Sequence, residues 1–283
     1  MRTQRRLLAA LLAAALAGVL LTACSDDASP LLVGHDGTPE MRTAAAIYAG
    51  ALSRTGIDVE TADEPTANPI DAVASGDLGL FPAFTGDLLR RLTPNPTALT
   101  SDDVLADVNR SLPQQVSIGD PAAVSNRWQV VVRAEEITDG GPADLVDCDN
   151  RRADRTDIVS TRPLTKQVTD AFARCGIVAA TVVPPAEFID RVRAGALGLA
   201  PALDTASVVD LNGVRTVTSE GGPIAQDLVP VFASAALGKS QLKALSRVAG
   251  ELTTTDLAQL VREVRGGASP SVVAGQWLST HGV

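Results

Sequence analysis

The chain is poor in the residues that most often carry chemistry. Its 283 residues include only eight aromatic side chains, two histidines and three cysteines. The histidines and cysteines do not cluster at metal-ligand spacing, and no Gly-x-Ser-x-Gly motif is present. The sequence therefore predicts no catalytic residue, no metal site and no cofactor. His35-Asp36 resembles one end of a charge relay, but no nucleophile accompanies it, which favours a polar loop at a ligand cleft.

Long apolar runs are also scarce, and the one present lies at the N-terminus. Three arginines precede Leu7 to Leu21, a stretch shorter than the roughly 20 residues that cross a bilayer, and the run ends in Leu-Thr-Ala-Cys. This ending is typical of a bacterial lipoprotein signal. We therefore expect residues 1–23 to be a signal peptide, Cys24 to carry the lipid, and residues 24–30 to be a tether on the extracytoplasmic face of the cell membrane. The alternative is an uncleaved anchor with a chance cysteine.

Positive charge is in short supply. The formal net charge is −9, and only three of the basic residues are lysines. Without the leader, 21 basic side chains face 33 acidic ones, a net charge of −12. An acidic surface argues against nucleic acid as a partner and against membrane binding beyond the lipid anchor.

Two cysteines remain once Cys24 is assigned to the lipid. In an oxidising compartment Cys148 and Cys175 are expected to pair. Closing the 28-residue loop between them would stabilise the fold by roughly 3–4 kcal/mol on the chain-entropy account. Two separate buried thiols are the alternative, because spacing alone does not distinguish the two cases.

The chain contains one internal duplication. The segment VASGDLGLFPA at 73–83 returns 119 residues later as VRAGALGLAPA at 192–202. Each copy predicts a helix that ends at a left-handed glycine, then a short buried strand, then a proline that ends the strand at the ligand-facing edge of the sheet. Two copies are too few for a solenoid. The duplication therefore predicts two similar α/β lobes with a cleft between them.

The order of predicted strands and helices divides the chain between these lobes. The first lobe is expected to use residues 31–120, the second residues 121–225, and the helices of 226–283 to return to the first lobe. Two crossings, near 120–127 and 222–230, would then form the hinge.

Aligning the two copies by 119 residues identifies candidate cleft residues. Phe84 aligns with Leu203 and Thr85 with Asp204. Phe84 would pack on one face of a solute, while Thr85 and Gln226 supply polar contacts. Asp204 would favour a solute with a cationic or hydrogen-bond-donating group; the alternative is that Asp204 caps the following turn.

The run LLVGHDGTPE, IYAGALSRTGIDVE and AVASGDLGLFPAFTGDLL, together with the tail GELTTTDLAQLVREVRGGASPSVVAGQWL, resembles the osmoprotectant-binding proteins of ABC importers. The resemblance implies a two-lobed periplasmic-binding-protein-like fold of type II with two hinge crossings. It also implies closure around a small solute such as glycine betaine, choline or carnitine, and delivery to a permease. The predicted ligand-binding residues are His35, Asp36, Thr38, Phe84, Thr85, Gly86, Asn126, Asp204 and Gln226.

The shortage of rings departs from that family. Its members that bind quaternary ammonium compounds surround the cation with aromatic faces. Here Tyr48, Phe172, Phe188 and Trp277 have the helical spacing of core residues. Phe84 remains, with Phe81 and Trp128 as more distant candidates. The sequence therefore predicts a solute-binding lipoprotein for a small polar or cationic solute. A non-transport lipoprotein that serves as a docking or sensory partner is the competing interpretation, and an enzyme ranks third.

Replacing the cysteine of the lipoprotein signal tests the predicted anchor. Cells that express the wild type in the presence of labelled fatty acid should yield labelled protein, and Cys24→Ala should yield none, because the thiol that accepts the lipid is absent. The control Cys148→Ala should keep the label. An unlabelled wild type would contradict the prediction.

Overall fold

A computed structural model describes residues 29–137, 157–173, 176–208, 211–217 and 222–283. Residues 31–283 form one compact unit. Cys24, Cys148 and Cys175 lie outside the described residues, so the lipid anchor and the disulfide stay predictions. None of the described helices is both long and apolar enough to span a membrane.

Within the described residues, ten strands build two five-stranded sheets with one shared strand order. In chain order the strands are β1 (Leu31–Val33), β2 (Val59–Thr61), β3 (Leu80–Phe84), β4 (Val116–Ile118), β5 (Trp128–Arg133), β6 (Ile158–Ser160), β7 (Thr181–Val182), β8 (Leu197–Pro201), β9 (Val214–Val217) and β10 (Leu228–Ala233). The first sheet has the order β2-β1-β3-β10-β4 and the second β7-β6-β8-β5-β9. The two-lobed α/β fold predicted from the duplication is confirmed.

Helices cover both sheets. They are α1 (Pro39–Ser53), α2 (Pro69–Ser75), α3 (Thr85–Leu92), α4 (Ser101–Ser111), α5 (Lys166–Phe172), α6 (Pro185–Arg193), α7 (Ala202–Ala206), α8 (Lys239–Glu251), α9 (Thr254–Arg265) and α10 (Pro270–His281). The predicted left-handed glycines are confirmed, with φ of 86° at Gly76 and 113° at Gly195. Only glycine adopts such angles without steric cost, so each helix ends there and the chain turns into its strand.

The duplicated strands, β3 and β8, occupy the centre of the two sheets. β3 pairs in parallel with β1 and β8 in parallel with β6, and each pairs antiparallel with the strand that follows a crossing, β10 or β5. Pro201 ends β8 as predicted, but β3 continues through Pro82 to Phe84. Pro82 lies directly opposite Pro230 of β10. The two missing N–H groups therefore fall at one position of the ladder, and the strand can continue beyond it.

Each sheet is completed by a strand that enters from the other lobe. The crossing before β5 and the crossing before β10 run side by side, since the Asn126 N–H donates to the Gln226 carbonyl over 2.8 Å and the Leu228 N–H donates to the Val124 carbonyl over 3.1 Å. Both connections between the lobes therefore run through one pair of hydrogen-bonded segments.

The cores lie between the sheets and their helices. The C-terminal helices α8, α9 and α10 pack on α1 in the first lobe, where Tyr48 and Trp277 are buried. In the second lobe Phe188 belongs to one apolar cluster and Phe172 to another. These four side chains are core residues, as their helical spacing predicts.

The short helix α7 joins the second lobe to the core of the first. Leu203 is buried in the same apolar cluster as the helices of the first lobe. Nearby, Arg262 of α9 donates from Nη1 to the Ser207 carbonyl over 2.7 Å. The lobes are therefore in contact beside the crossings as well as through them.

The close approach of helix α6 to β8 predicts the effect of one added methyl group. A Cβ at Gly198 would lie 2.6 Å from Cζ of Phe188 and 2.7 Å from Cγ2 of Val192, both in the core. Gly198→Ala should lower the free energy of unfolding, measured with urea, by about 1–3 kcal/mol. At Gly250, in α8, no atom apart from the adjacent residues and the backbone of the helix itself lies within 4 Å of the added Cβ. The matched control Gly250→Ala should raise the stability by about 0.5–1 kcal/mol. A Gly198→Ala protein as stable as the wild type would contradict this account of the packing.

Candidate functional site

A cavity of about 880 Å³ opens between the two sheets. The first lobe contributes Asp87 and Arg90 from α3, the two crossings contribute Asn126 and Gln226, and the second lobe contributes Trp128 from β5 with the turn and helix at 162–171. The carboxyl ends of β3 and β6 lead into this wall, which is where open α/β sheets place ligands. The cavity is therefore bounded by both lobes and by the segments that link them.

A smaller cavity of about 340 Å³ adjoins the larger one on the side of the first lobe. The two share Asp87, Arg90 and Gln167 in their walls. Phe81 and Phe84 line the smaller cavity, and both rings are buried. Phe84 therefore lines the smaller cavity and not the larger one.

The Thr85-Gly86-Asp87 turn is fastened to the second crossing. The Asp227 N–H donates to Thr85 Oγ1 over 3.0 Å. The Gln226 side chain donates from Nε2 to Asp87 Oδ1 over 3.0 Å and accepts the Asp87 N–H at Oε1 over 3.1 Å. A Cβ at Gly86 would lie 2.5 Å from the Ala225 carbonyl oxygen, so glycine permits this approach. Thr85 is fully buried by these contacts, whereas Gln226 and Asp87 reach the cavity wall.

The residues after β1 form a capped helix start. Thr38 accepts the Met41 N–H at Oγ1 over 3.2 Å and so caps α1, while Asp36 Oδ1 accepts both the N–H and the hydroxyl of Thr38. His35 is buried and accepts the Gly37 N–H at Nδ1 over 3.1 Å. Of the predicted residues in this segment, Asp36 lines the smaller cavity, and His35 and Thr38 line neither.

Asn126 and Asp204 lie at the junction of the lobes. Asn126 lines the larger cavity and accepts the Leu203 N–H at Oδ1 over 3.2 Å, which positions the start of α7. Asp204 does not line either of these cavities, and it is 3% exposed. The sequence placed its carboxylate at the cleft surface, but the structure places it behind Arg162.

Asp204 belongs to an interlobe ion quartet, which consists of Glu40, Arg162, Asp204 and Arg265. Arg162 binds Asp204 with two hydrogen bonds of 2.7 Å, from Nε and Nη2, and reaches Glu40 Oε1 over 2.5 Å. Arg265 Nη2 lies 2.8 Å from Glu40 Oε1 and 3.7 Å from Asp204 Oδ1. Each lobe contributes one carboxylate and one guanidinium group, and each guanidinium group contacts both carboxylates.

The quartet sets the protonation of Asp204 and Arg162. Burial alone would raise the pKa of Asp204, but the hydrogen bonds and charge of Arg162, the Thr161 hydroxyl and the charge of Arg265 together lower it below the ordinary value. The pKa of Arg162 is raised, chiefly by its hydrogen bonds to Asp204, against the effect of its own burial. Both groups therefore stay ionised at neutral pH.

Arg162 was not among the residues predicted from the sequence. It follows β6 directly, as His35 and Asp36 follow β1 in the equivalent position of the first lobe. A polar Thr-Arg-Pro segment just after a buried strand was the available signal, because the carboxyl ends of parallel strands face the ligand. Glu40, Asp87 and Arg90 gave no such signal, since charged residues in the first and last turns of helices are common.

The sequence matches, over residues 29–280, the family described as the substrate binding domain of ABC-type glycine betaine transport systems. The chain belongs to this family. Apo YehZ from Escherichia coli superposes with a TM-score of 0.69 at 18% identity, covering 90% of this chain and 99% of that one. A glycine betaine/carnitine/choline ABC transporter structure superposes with a TM-score of 0.69 at 14% identity, covering 89% and 98%. Comparison with curated protein sequences finds no match.

Membership confirms the resemblance and the binding-protein fold. This family consists of substrate-binding domains of ABC importers, which are extracytoplasmic, and it is not a class of enzymes. The chain accordingly has a solute-binding role in an ABC importer.

Breaking the quartet should destabilise the apo protein in a pH-dependent way. Asp204→Asn should lower the free energy of unfolding at pH 7 by about 2–4 kcal/mol, because Arg162 loses its fork partner. The lowered pKa of Asp204 stabilises the fold above the ordinary carboxyl pKa of about 4, and this contribution is lost as the pH falls through the lowered value. In urea titrations, the difference in the free energy of unfolding between the wild type and Asp204→Asn should therefore stay constant from pH 7 to 5 and become smaller toward pH 3.

The control for this comparison is Asp190→Asn, which removes an exposed carboxylate paired with Arg193. Its stability should remain within about 0.5 kcal/mol of the wild type. An Asp204→Asn protein as stable as the wild type at pH 7 would contradict a structural role for the quartet.

Proposed function

We propose that the chain is a lipid-anchored solute-binding protein that captures a small polar or cationic solute of the osmoprotectant type and delivers it to the permease of an ABC importer. The cavity of about 880 Å³ between the lobes carries the proposal. Its wall contains residues from both lobes and from both crossings. A solute bound there would therefore contact the two lobes and the hinge segments between them, which are the parts that rearrange when the lobes close. The Leu-Thr-Ala-Cys ending at Cys24 supports the anchor.

The predicted ligand-binding residues divide into those proposed to contact the solute and those proposed to hold other residues in place. Asn126 and Gln226 are proposed to contact the solute, because they line the larger cavity. Asp36 and Phe84 would contact a solute that extends into the smaller cavity. His35, Thr38, Thr85, Gly86 and Asp204 are proposed to act indirectly, because their contacts hold α1, the Thr85-Gly86-Asp87 turn and Arg162 in place.

A solute screen followed by scattering tests the capture and the closure together. Amines, amino acids, quaternary ammonium compounds and polyols are added to the purified protein, and the melting temperature is recorded. A true solute at 100 times its dissociation constant should add about 2.7 kcal/mol of stability. It should also reduce the radius of gyration in small-angle scattering, because the lobes close around it.

Two variants locate the binding in the larger cavity. Trp128→Ala removes a ring from the wall of the larger cavity and should diminish the rise in melting temperature that the solute causes. Leu242→Ala, on the exposed side of α8, should preserve that rise. A wild type that no compound stabilises and whose radius of gyration never changes would overturn solute capture. That outcome would favour the docking or sensory interpretation.

A further inference from the structure

The aromatic content of the cavity is completely known, because all eight aromatic residues of the sequence lie in the described part of the chain. Trp128 is the one ring in the wall of the larger cavity, and Phe81 and Phe84 line the smaller one. The remaining five rings are buried in the hydrophobic cores: Tyr48, Phe172, Phe188, Phe232 and Trp277. A quaternary ammonium group cannot donate hydrogen bonds and is held by several ring faces. The larger cavity offers such a group one ring, that of Trp128.

The cavity offers hydrogen-bond acceptors instead. Its wall carries Asp87 and Asp170 together with the amides of Asn126, Gln167 and Gln226. Asp87 Oδ1 accepts from Gln226 and Arg90, and Asp170 Oδ2 accepts from Lys166. Asp87 Oδ2 and Asp170 Oδ1 have no hydrogen-bond partner among the described residues. These groups suit a cation that keeps N–H donors, because a charge-assisted hydrogen bond needs a donor as well as a charge.

The cavity wall also offers a donor for an anionic group. Arg162 lines the larger cavity, and its side chain is 36% exposed. Nε and Nη2 are committed to Asp204 and Glu40, whereas Nη1 has no partner within the described part of the chain. The ion quartet fixes the plane of the guanidinium group, so Nη1 is held in place before a ligand arrives. Guanidinium groups are well suited to carboxylates.

We propose that the solute is a zwitterion whose ammonium group retains at least one N–H, with its carboxylate bound at Nη1 of Arg162, and not a quaternary ammonium compound. This inference rests on the proposed solute capture and specifies its chemistry. Arg162 is then a specificity-determining residue, and the acceptors on Asp87, Asp170 and the amides receive the ammonium donors. The charges in the cavity wall support this class, because the wall contains two carboxylates, Asp87 and Asp170, and two guanidinium groups, Arg90 and Arg162.

A methylation series on a constant skeleton tests the ammonium end. Affinities for glycine, sarcosine, dimethylglycine and glycine betaine are measured by calorimetry, alongside γ-aminobutyrate and its trimethyl analogue. In at least one of the two series an N–H-bearing member should bind about tenfold or more tighter than its trimethyl counterpart, because the trimethyl compound loses its charge-assisted hydrogen bonds.

The outcomes separate this inference from the proposed function. Equal or tighter binding of the trimethyl compounds, or binding of an uncharged polyol alone, overturns the zwitterion inference and leaves solute capture standing. If none of these compounds and none of the wider screen binds, both are overturned.

A second experiment tests the carboxylate end. Arg162→Gln should weaken the best-binding zwitterion about tenfold or more, and Arg162→Lys, which keeps the charge, should weaken it less. The preference for the zwitterion over its analogue without the carboxylate should fall in Arg162→Gln. The matched control Arg191→Gln removes an arginine paired with Asp157 outside the cavity and should keep the wild-type affinity. An unchanged preference in a folded Arg162→Gln protein would overturn the role of Arg162.

Discussion

Four charged side chains join the two lobes at the edge of the cavity, and they constrain everything around it. Glu40 and Arg265 come from the first lobe, and Arg162 and Asp204 come from the second. Removing so much charge from water is costly, so the arrangement persists because each carboxylate meets two guanidinium groups. Its geometry withdraws Asp204 from the solute and leaves part of Arg162 facing the cavity. The quartet therefore influences both the contact between the lobes and the chemistry available to a ligand.

The shared strand order explains why the cavity lies where it does. In each lobe the central duplicated strand is flanked by one strand of its own lobe and one that arrives through a crossing. The ends of β3 and β6 and the two crossings consequently meet in one place. Asn126 and Gln226 reach the cavity because they lie on those crossings, and Asp87 reaches it because Gln226 fixes the turn after β3.

Much of this architecture could be predicted from the sequence, whereas the division of labour among the polar residues could not. The two lobes could be predicted from the duplicated segment, because its glycines mark the points where a helix ends and the chain turns into a strand, as Gly76 and Gly195 show. The roles of Thr85 and Asp204 depend on partners more than forty residues away, and no local pattern encodes such distances. For a related reason the alignment of Phe84 with Leu203 does not tell which of the two cavities Phe84 lines, since an alignment fixes a strand position and not the surroundings of the side chain. The strand β3 continues beyond Pro82 because Pro230 lies opposite it in the sheet, a pairing that the local sequence does not show.

The exchange of strands between the lobes also has a consequence for how the chain reaches its native state. The sheet of the second lobe is assembled within residues 128–217, whereas the sheet of the first lobe joins residues 31–118 to β10 at 228–233. Pairing of β3 with β10 closes a long loop, and long-range pairing of this kind is slow. The second lobe can consequently fold as a continuous segment, while the first keeps an unpaired strand edge until the C-terminal part of the chain arrives. Until then, that edge of β3 is open to association with other chains.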